Sequence, residues 1–225
     1  MKRLVFIVEG RSEEQFITHF LIPYLANERG LGVFPMNAQQ LTTNRKKSIR
    51  GGSISFGKLA NDVRNAAHSG NTLVTTMIDF FKLPTDFPEY SKEKKDIVVI
   101  ESAVRKNLSN EVSPAVFLPY IQLHEFEALL FSSMDGFKAI VDDKTVLSKL
   151  EAIENRYSNP EDINGGEQTA PSKRMMRLFN YEKVTDSYDA LSKIPIDVIR
   201  SKCPRFDRWL QLLEKGLTDG YFESE

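Results

Sequence analysis

The sequence has few of the features that mark secreted, membrane or disulfide-bonded proteins. Its 225 residues include one cysteine, Cys203, which permits neither an internal disulfide nor a cysteine zinc site. The apolar stretch at 4–8 follows a basic start but is too short for a signal peptide, and no run approaches the roughly 18 apolar residues of a membrane span. We therefore expect a soluble cytoplasmic protein.

The chain also has no excess of charge of either sign. Thirty basic and 31 acidic residues leave a formal net charge of -1, so the bulk charge does not indicate a nucleic-acid partner. Any phosphate binding must then be local. Hydrophobic residues make up 41% of the chain, which is enough for a substantial core.

Several common functional motifs are missing or incomplete. No GxGxxG is present, and GSISFGKL at 52–59 matches a phosphate loop except that Leu59 stands where magnesium coordination needs Ser or Thr. HEFE at 124–127 is not the HExxH zinc pattern. Nucleophilic catalysis has little support, because Ser12 fits a helix cap and Cys203 lies in an apolar segment typical of packing.

Apolar and β-branched runs predict four strands in the first half of the chain. They lie at 4–8, 33–36, 73–78 and 116–123. Helical patterns separate them, and such alternation predicts a mostly parallel sheet with helices on both faces. The fold class is therefore α/β.

The helical patterns continue to the end of the chain. The first helix begins with a capping box formed by Ser12 and Gln15, and Pro23 is predicted to kink or end it. After about residue 124 helices and polar loops replace the strands, so we predict an α/β domain at 1–135 and an α-helical lobe at 136–225 packed on it. The predicted helices are at 59–66, 97–108, 172–179, 188–191, 196–201 and 206–217.

Acidic side chains follow three of the predicted strands. Glu9 ends the first, Asp79 ends the third, and the fourth leads to His124, Glu125 and Glu127. In an open parallel sheet, ligands collect outside the carboxyl ends of the strands. The sequence therefore predicts a functional site at this edge, although each acid alone also fits a helix cap.

Acids brought together need a neutralising partner. Two unit charges about 4 Å apart at an effective dielectric of about 20 repel by about 4 kcal/mol, so a proton, an Arg or Lys, or a divalent metal must offset them. Hard carboxylates without cysteine favour Mg²⁺ or Mn²⁺. We predict that Glu9 and Asp79 bind this metal with help from Glu125 or Glu127, which cannot share one ion if both are helical. His124 is expected to be a structural hydrogen-bonding group.

Basic residues for binding phosphate occur in three places. Lys173 and Arg174 open a helix after Pro171, where the helix N-terminus also attracts anions. For each group, a solvated surface is the alternative interpretation. The remaining candidates are Arg11, immediately after Gly10, and the basic loop residues Arg45, Lys46 and Lys47. Gly10 itself is expected to let the chain turn sharply from the first strand into its helix.

Five segments resemble a known family. VEGRSEEQF looks like the first motif of the TOPRIM (topoisomerase-primase) fold, and with TTMIDFFKLP, PYIQLHEFEALLF, EQTAPSKR and CPRFDRW it resembles domain-of-unknown-function family 4276 of prokaryotic proteins. The resemblance implies a four-stranded parallel sheet and Mg²⁺-dependent chemistry on phosphodiesters. It makes Glu9 the acid-base glutamate and Asp79 the first aspartate of a metal-binding DxD pair.

One departure from that pattern affects the expected activity. Phe81 stands where DxD has its second acid, so Glu125 or Glu127 replaces it, the site is catalytically weak, or it has become a binding surface. Relatives of this kind often occur beside ATPase genes in defence against mobile DNA, which implies an ATPase partner. We expect a nuclease for DNA or RNA in which Glu127 is an auxiliary acid and Lys173 contacts phosphate. The alternative is a non-catalytic module that binds the ATPase or a nucleotide.

Overall fold

The chain forms two compact units, each described here by itself. The computed structural model describes residues 2–44, 49–50, 54–68, 70–81, 83–91, 96–163, 166 and 168–223. The first unit comprises Met1–Ile121 with Gln211–Glu225, and the second comprises Gln122–Leu210. The predicted domain boundary at 135 lies inside the second unit. Sequence patterns do not reveal that the C-terminal segment returns to the first unit.

A mostly parallel sheet forms the centre of the first unit, as predicted. Among the described residues this sheet has five strands in the order β2-β1-β5-β6, with β7 also paired to β5. The pairs β1–β2, β1–β5 and β5–β6 are parallel, and a separate antiparallel pair joins β3 to β4. The strands are β1 (Arg3–Val8), β2 (Met36–Gln40), β3 (Thr42–Asn44), β4 (Ile49–Arg50), β5 (Thr72–Asp79), β6 (Phe117–Leu118) and β7 (Ile121–Gln122).

Two strands match their predictions closely and two differ. The predicted strands at 4–8 and 73–78 are β1 and β5, both apolar and buried as central strands must be. The strand predicted at 33–36 begins only at Met36, and Val33 is 64% exposed in a turn. The strand predicted at 116–123 is divided into β6 and β7 around Pro119, because proline has no amide hydrogen for the ladder.

At the break between β6 and β7, threonine side chains of β5 form hydrogen bonds to the backbone of the neighbouring segment. Thr76 Oγ1 donates to the Tyr120 carbonyl at 2.9 Å and accepts from the Tyr120 amide at 2.8 Å. Thr75 Oγ1 donates to the Leu118 carbonyl at 2.7 Å. Both threonines are fully buried, so each bond satisfies a backbone group that water does not reach.

Replacing Thr76 with valine should therefore destabilise the protein by about 1–3 kcal/mol, because it leaves a buried donor and acceptor of Tyr120 without this partner. Valine has nearly the same shape, so packing changes little. Chemical denaturation gives the free energy of unfolding. Thr85→Val, at an exposed loop position, is the matched control. Equal stability of the two variants would contradict the assignment.

The first helix of this unit departs from its predicted cap and end. Helix α1 (Arg11–Phe16) has Gly10 as its N-cap without a side-chain hydrogen bond, so the predicted Ser12 capping box is wrong. Pro23 does not end the helix, since helical turns continue to Glu28. These turns include wider π-helical segments on both sides of Pro23, a geometry that carries the chain past a residue without an amide hydrogen.

The other helices of the first unit match their patterns. Helix α2 (Phe56–Ala67) buries Leu59, Val63 and Ala66, and helix α3 (Ile97–Leu108) is capped by the Asp96 side chain. In α3 the buried stripe is Ile97, Ile100, Val104 and Leu108, whereas Val98, which was part of the predicted pattern, is 53% exposed.

Hydrogen bonds to backbone groups join the C-terminal segment to the rest of the first unit. The Phe222 amide donates to the Ala115 carbonyl at 2.7 Å. Arg105 Nη2 donates to the carbonyls of Pro114 and Glu223 at 2.5 and 2.9 Å. One guanidinium thus joins the segment before β6 to the residues that follow the last helix.

The second unit is largely helical. It opens with a fully buried 3₁₀ segment, Phe126–Ser132, whose Phe126, Leu129 and Leu130 face the core as predicted. No helix in the described ranges is long and apolar enough to cross a membrane. The helices are α4 (Met134–Ile140), α5 (Lys144–Arg156), α6 (Pro171–Leu178), α7 (Lys183–Leu191), α8 (Ile196–Lys202) and the beginning of α9 (Pro204–Asp219).

A buried glutamate caps the last of these helices. Glu161 accepts hydrogen bonds from the backbone amides of Arg205 at 2.9 Å and Phe206 at 3.2 Å. Burial nevertheless raises the pKa of Glu161 above its ordinary 4.5, because the two amides and Arg205 offset only part of the desolvation.

Stability should therefore depend on pH through Glu161. Its folded pKa lies above its unfolded value, so the folded state holds the extra proton and its stability falls as pH rises from about 4.5 through the folded pKa. Urea denaturation between pH 4 and 7 should show wild type losing stability relative to Glu161→Gln. Glu151→Gln, at an exposed position, should follow the wild-type pH slope. Parallel curves for wild type and Glu161→Gln would contradict the prediction.

Candidate functional site

The ends of β1 and β5 bring Glu9 close to Asp79. Val8 is paired with Met77 in the parallel register, so both strands end at the same edge. The Asp79 amide donates to Glu9 Oε2 at 3.4 Å. Asp79 is 8% exposed and Glu9 is half-buried, so this edge places two acids between the core and solvent.

Gly10 has an ordinary backbone conformation and lies close to the Glu13 side chain. Its φ of -143° and ψ of -169° are extended, a conformation that any residue adopts, so the sequence-based reason was wrong. A Cβ atom at Gly10 would lie 3.1 Å from Glu13 Oε2. The glycine therefore makes room for a second glutamate, which is 3% exposed and four residues after Glu9. The sequence reasoning did not single out Glu13, although it lies in the same segment as Glu9.

The first turn of α1 is also tied to the neighbouring strand. Gln40 Nε2 donates to Glu14 Oε2 at 2.6 Å, and Gln40 is the last residue of β2. Because Gln40 pairs with Val8 in the register, this bond lies at the same carboxyl edge as Glu9. Three adjacent strands and one helix thus contribute polar side chains to the edge.

Phe81 occupies the position at which a DxD pair has its second acid, and the residue before it, Phe80, is also aromatic. Phe80 is 8% exposed, and its ring meets that of Tyr90 edge-on with centroids 5.9 Å apart. Phe81 is half-buried. The residues after Asp79 therefore contribute to packing and add no oxygen ligand.

The acids at this edge do not form a complete protein site for a divalent cation. In the described part of the chain, no group of three His, Cys, Asp or Glu side chains is arranged to hold a metal. Mg²⁺ commonly uses one or two carboxylates and takes its remaining ligands from water and substrate phosphate. Glu9 and Asp79 place two acids at this edge, and their role as metal ligands stays a prediction.

Glu125 has a structural contact within the second unit. It is 5% exposed, and its carboxylate accepts from the Ser172 amide and from Ser172 Oγ, both at 3.0 Å. Its backbone is extended after a left-handed His124 with φ of 64°, but β7 ends at Gln122, so Glu125 does not belong to the strand. Glu125 therefore interacts with the N-terminus of α6, and its role as a metal ligand stays a prediction.

Glu127 belongs to a buried polar cluster in the same unit. Its side chain is fully buried, and Oε1 lies 3.1 Å from Lys183 Nζ. Burial and the negative charge of Glu127 raise the pKa of Tyr181 well above its ordinary 10.0, so this phenol stays protonated. Sequence reasoning missed Lys183 and Tyr181, because only the tertiary structure brings them near Glu127.

The predicted phosphate-binding residues of α6 have different surroundings. Arg174 Nε donates to the Thr169 carbonyl at 2.7 Å, and Nη2 donates to the Tyr157 hydroxyl at 3.3 Å. Lys173 is half-buried and forms no ion pair with any described residue. Since Glu125 already accepts from Ser172, the attraction of this helix N-terminus for anions acts first on that carboxylate.

The other basic candidates are distributed elsewhere. Arg11 is exposed at the first position of α1, one residue beyond Gly10. Arg45, Lys46 and Lys47 lie outside the described residues.

Cys203 has the packing environment that its sequence context indicated. It is fully buried, with Sγ 3.5 Å from Ser132 Oγ. Burial raises the pKa of its thiol to about 12, which is unsuited to nucleophilic catalysis.

A family model described as a domain of unknown function (DUF4276) matches residues 8–214. The chain belongs to this family. No curated protein and no solved structure matches it. The DUF4276 domain includes both the strand edge with Glu9 and Asp79 and the polar cluster around Glu127.

Proposed function

We propose that this DUF4276 protein is a divalent-metal-dependent nuclease that hydrolyses phosphodiester bonds of DNA or RNA in the cytoplasm. One observation carries the proposal: two acids from distant parts of the chain meet at the carboxyl edge of adjacent parallel strands, where the Glu9 carboxylate accepts from the Asp79 amide. Ligands of open parallel sheets collect at such an edge. The resemblance of the surrounding segments to TOPRIM motifs supports phosphodiester chemistry.

Each acid has a distinct role in this proposal. Asp79, nearly buried, would hold Mg²⁺ or Mn²⁺ together with Glu9. When bound, the cation supplies Lewis-acid polarisation of the phosphate and offsets its charge. Glu9 is half-buried and reaches solvent, so it also moves a proton to or from the attacking water.

The surrounding residues position this pair. Glu13 lies against Gly10 beside Glu9, and the bond between Glu14 and Gln40 fixes the first turn of α1 on β2. The bond between α1 and β2 holds the first turn of this helix at the sheet edge, next to the strand-end acids. Glu127 as an auxiliary acid and Lys173 as a phosphate contact remain part of the proposal. An ATPase partner completes it, as the family resemblance implies.

Cleavage assays test the proposal directly. The purified protein is incubated with supercoiled plasmid and with tRNA in Mn²⁺, in Mg²⁺ and in EDTA. We expect nicking or cutting of at least one substrate with metal and none in EDTA. Absence of cutting with either metal, for the protein alone and with its ATPase partner, would reject the nuclease.

The second candidate is a non-catalytic module that binds the ATPase partner or a nucleotide. The aromatic side chain of Phe81 favours it, because this residue takes the place of a metal-binding acid. Pull-down of the ATPase by wild type and by Glu9→Gln, Asp79→Asn discriminates the two. Equal capture together with no cleavage would support the module, whereas metal-dependent cleavage would exclude it.

A further inference from the structure

Strand β2 forms one edge of the parallel sheet in the first unit. Among the described residues it pairs only with β1, through five consecutive residues without a bulge. An edge strand presents a row of backbone N–H and C=O groups to which another strand can bind. Proteins commonly protect such an edge with proline, with charged side chains, with a bulge or with a very short strand. The sequence of β2, MNAQQ, has none of these features.

The opposite edge of the same sheet is protected. Strand β6 there has only two residues and is followed by Pro119, which has no amide hydrogen for a further ladder. The C-terminal segment also lies beside the start of this edge, because the Phe222 amide donates to the Ala115 carbonyl at 2.7 Å. In the part of the sheet that the structure describes, β2 is therefore the edge that can accept another strand.

Alternate residues of β2 direct their backbone groups away from β1. Leu4 of β1 is paired with Met36, and the Leu4 amide donates to the Pro35 carbonyl at 2.9 Å. In a parallel ladder the bonds go to the residues on either side of the paired one, so the odd-numbered residues of β2 bond to β1. The even-numbered residues, Met36, Ala38 and Gln40, point their N–H and C=O groups outward. These groups form no backbone hydrogen bond with another described residue.

The outward groups match a second copy of the same strand. When two β2 strands run antiparallel about a two-fold axis at Ala38, this residue lies opposite its own copy and Met36 lies opposite Gln40. These are the residues whose backbone groups point outward, so each outward N–H of one copy meets an outward C=O of the other. Asn37 of one copy then lies opposite Gln39 of the other, and their side-chain amides both donate and accept.

We infer that β2 is a dimerisation edge and pairs antiparallel with β2 of a second copy of this chain. The strand carries no charged side chain and the chain has a formal net charge of -1, so two copies meet without strong repulsion. Each copy covers the open edge of the other, so the assembly closes at two chains. The strands of the two copies run in opposite directions, which places the two carboxyl edges with Glu9 and Asp79 at opposite ends of one continuous sheet.

Sedimentation equilibrium of the full chain measures the dimer. Wild type at about 100 µM should have twice the mass of one chain and should dissociate on dilution. Ala38→Pro should raise the dissociation constant at least about tenfold, because both copies lose the amide at the centre of the interface. The ladder with β1 should keep its bonds, since the Ala38 amide faces away from β1 and proline is tolerated there in an edge strand. Circular dichroism melting shows whether the variant is folded.

Charged variants test the pairing without proline. Asn37→Lys, Gln39→Lys brings like charges together across the axis and should be monomeric, and Asn37→Glu, Gln39→Glu should be monomeric for the same reason. A mixture of the two should form a dimer with one chain of each kind, which variants that had lost their fold would not do. Asn65→Lys, Asn110→Lys adds the same charge at exposed positions of the same unit outside β2 and should dimerise as wild type does.

Oxidative crosslinking tests the register. Ala38→Cys places two thiols at the axis, where the Cα atoms of a hydrogen-bonded antiparallel pair are about 5.5 Å apart and within reach of a disulfide. This variant should form a covalent dimer under mild oxidation. Wild type should not, because Cys203 is fully buried. Asn65→Cys, at an exposed position of α2, is the matched control and should crosslink far less.

Three outcomes would overturn the inference. They are a monomeric wild type at every concentration, a dimer that persists in both β2 charge variants, and an Ala38→Cys protein that crosslinks no more than Asn65→Cys. A wild-type monomer that binds a strand of another protein would overturn it as well. The inference does not depend on the proposed nuclease, so a dimer without cleavage in any metal would support the β2 interface and reject only the nuclease.

Discussion

Replacing Glu9 with glutamine is expected to reduce metal-dependent cleavage by about 10²- to 10⁴-fold, the range over which a positioned acid-base group accelerates reactions. Glutamine has the same length and keeps an oxygen that accepts from the Asp79 amide. The local structure should then persist while the charge and the proton-transfer group are lost. Asp79→Asn should reduce cleavage similarly by removing a charged ligand.

Cleavage rates with Mn²⁺ and calorimetric titration of Mn²⁺ give the two readouts. Glu28→Gln is the matched control, because Glu28 is an exposed acid of the same unit at the end of the first helical segment. It should cleave and bind metal as wild type does. Full activity in Glu9→Gln, or unchanged metal binding in the Glu9→Gln, Asp79→Asn double variant, would remove the proposed site.

Replacing Lys183 with methionine is expected to destabilise the protein by about 3–5 kcal/mol at neutral pH, the usual cost of leaving a buried charge without its partner. Glu127 is fully buried, and Lys183 Nζ lies 3.1 Å from its carboxylate. Methionine keeps most of the apolar part of the lysine side chain. The decrease in the free energy of unfolding therefore measures the effect of removing the positive charge. Lowering the pH toward 5 should reduce the difference in stability between Lys183→Met and wild type, because the buried Glu127 carboxylate takes up a proton when its cation is absent.

Thermal and urea denaturation of four proteins measure this effect. Lys193→Met alters an exposed lysine of the same unit and should change stability by less than about 0.5 kcal/mol. The double variant Glu127→Gln, Lys183→Met removes both charges and should recover part of the loss. A Lys183→Met protein as stable as Lys193→Met would show that this ion pair does not neutralise Glu127.

Much of the central sheet was predictable from local patterns. The apolar runs around Phe6 and Val74 had to be buried, and their alternation with amphipathic helices left a parallel sheet as the simple solution. Parallel strands place their carboxyl ends at one edge, so the proximity of Glu9 and Asp79 followed from topology alone. This part of the candidate site needed no knowledge of side-chain packing.

Errors arose where a residue has more than one possible reason for being present. Gly10 was expected to provide an unusual backbone conformation, yet it provides space for Glu13. Ser12 fitted a capping pattern but lies inside the helix. Pro23 does not end its helix, which was one of the two effects expected of it, since the turns widen and continue beyond it. The identity of a single residue does not show whether it is present for its size or for its backbone conformation.

The sequence by itself determined the α/β class and the two central strands of the sheet, because apolar periodicity is a local property of the chain. It also placed acids at the strand ends. Only the tertiary structure paired Glu127 with Lys183, Glu125 with Ser172, and Arg174 with Tyr157. Contacts of this kind join residues far apart in the chain, and their geometry depends on how every intervening element packs, which no single segment specifies.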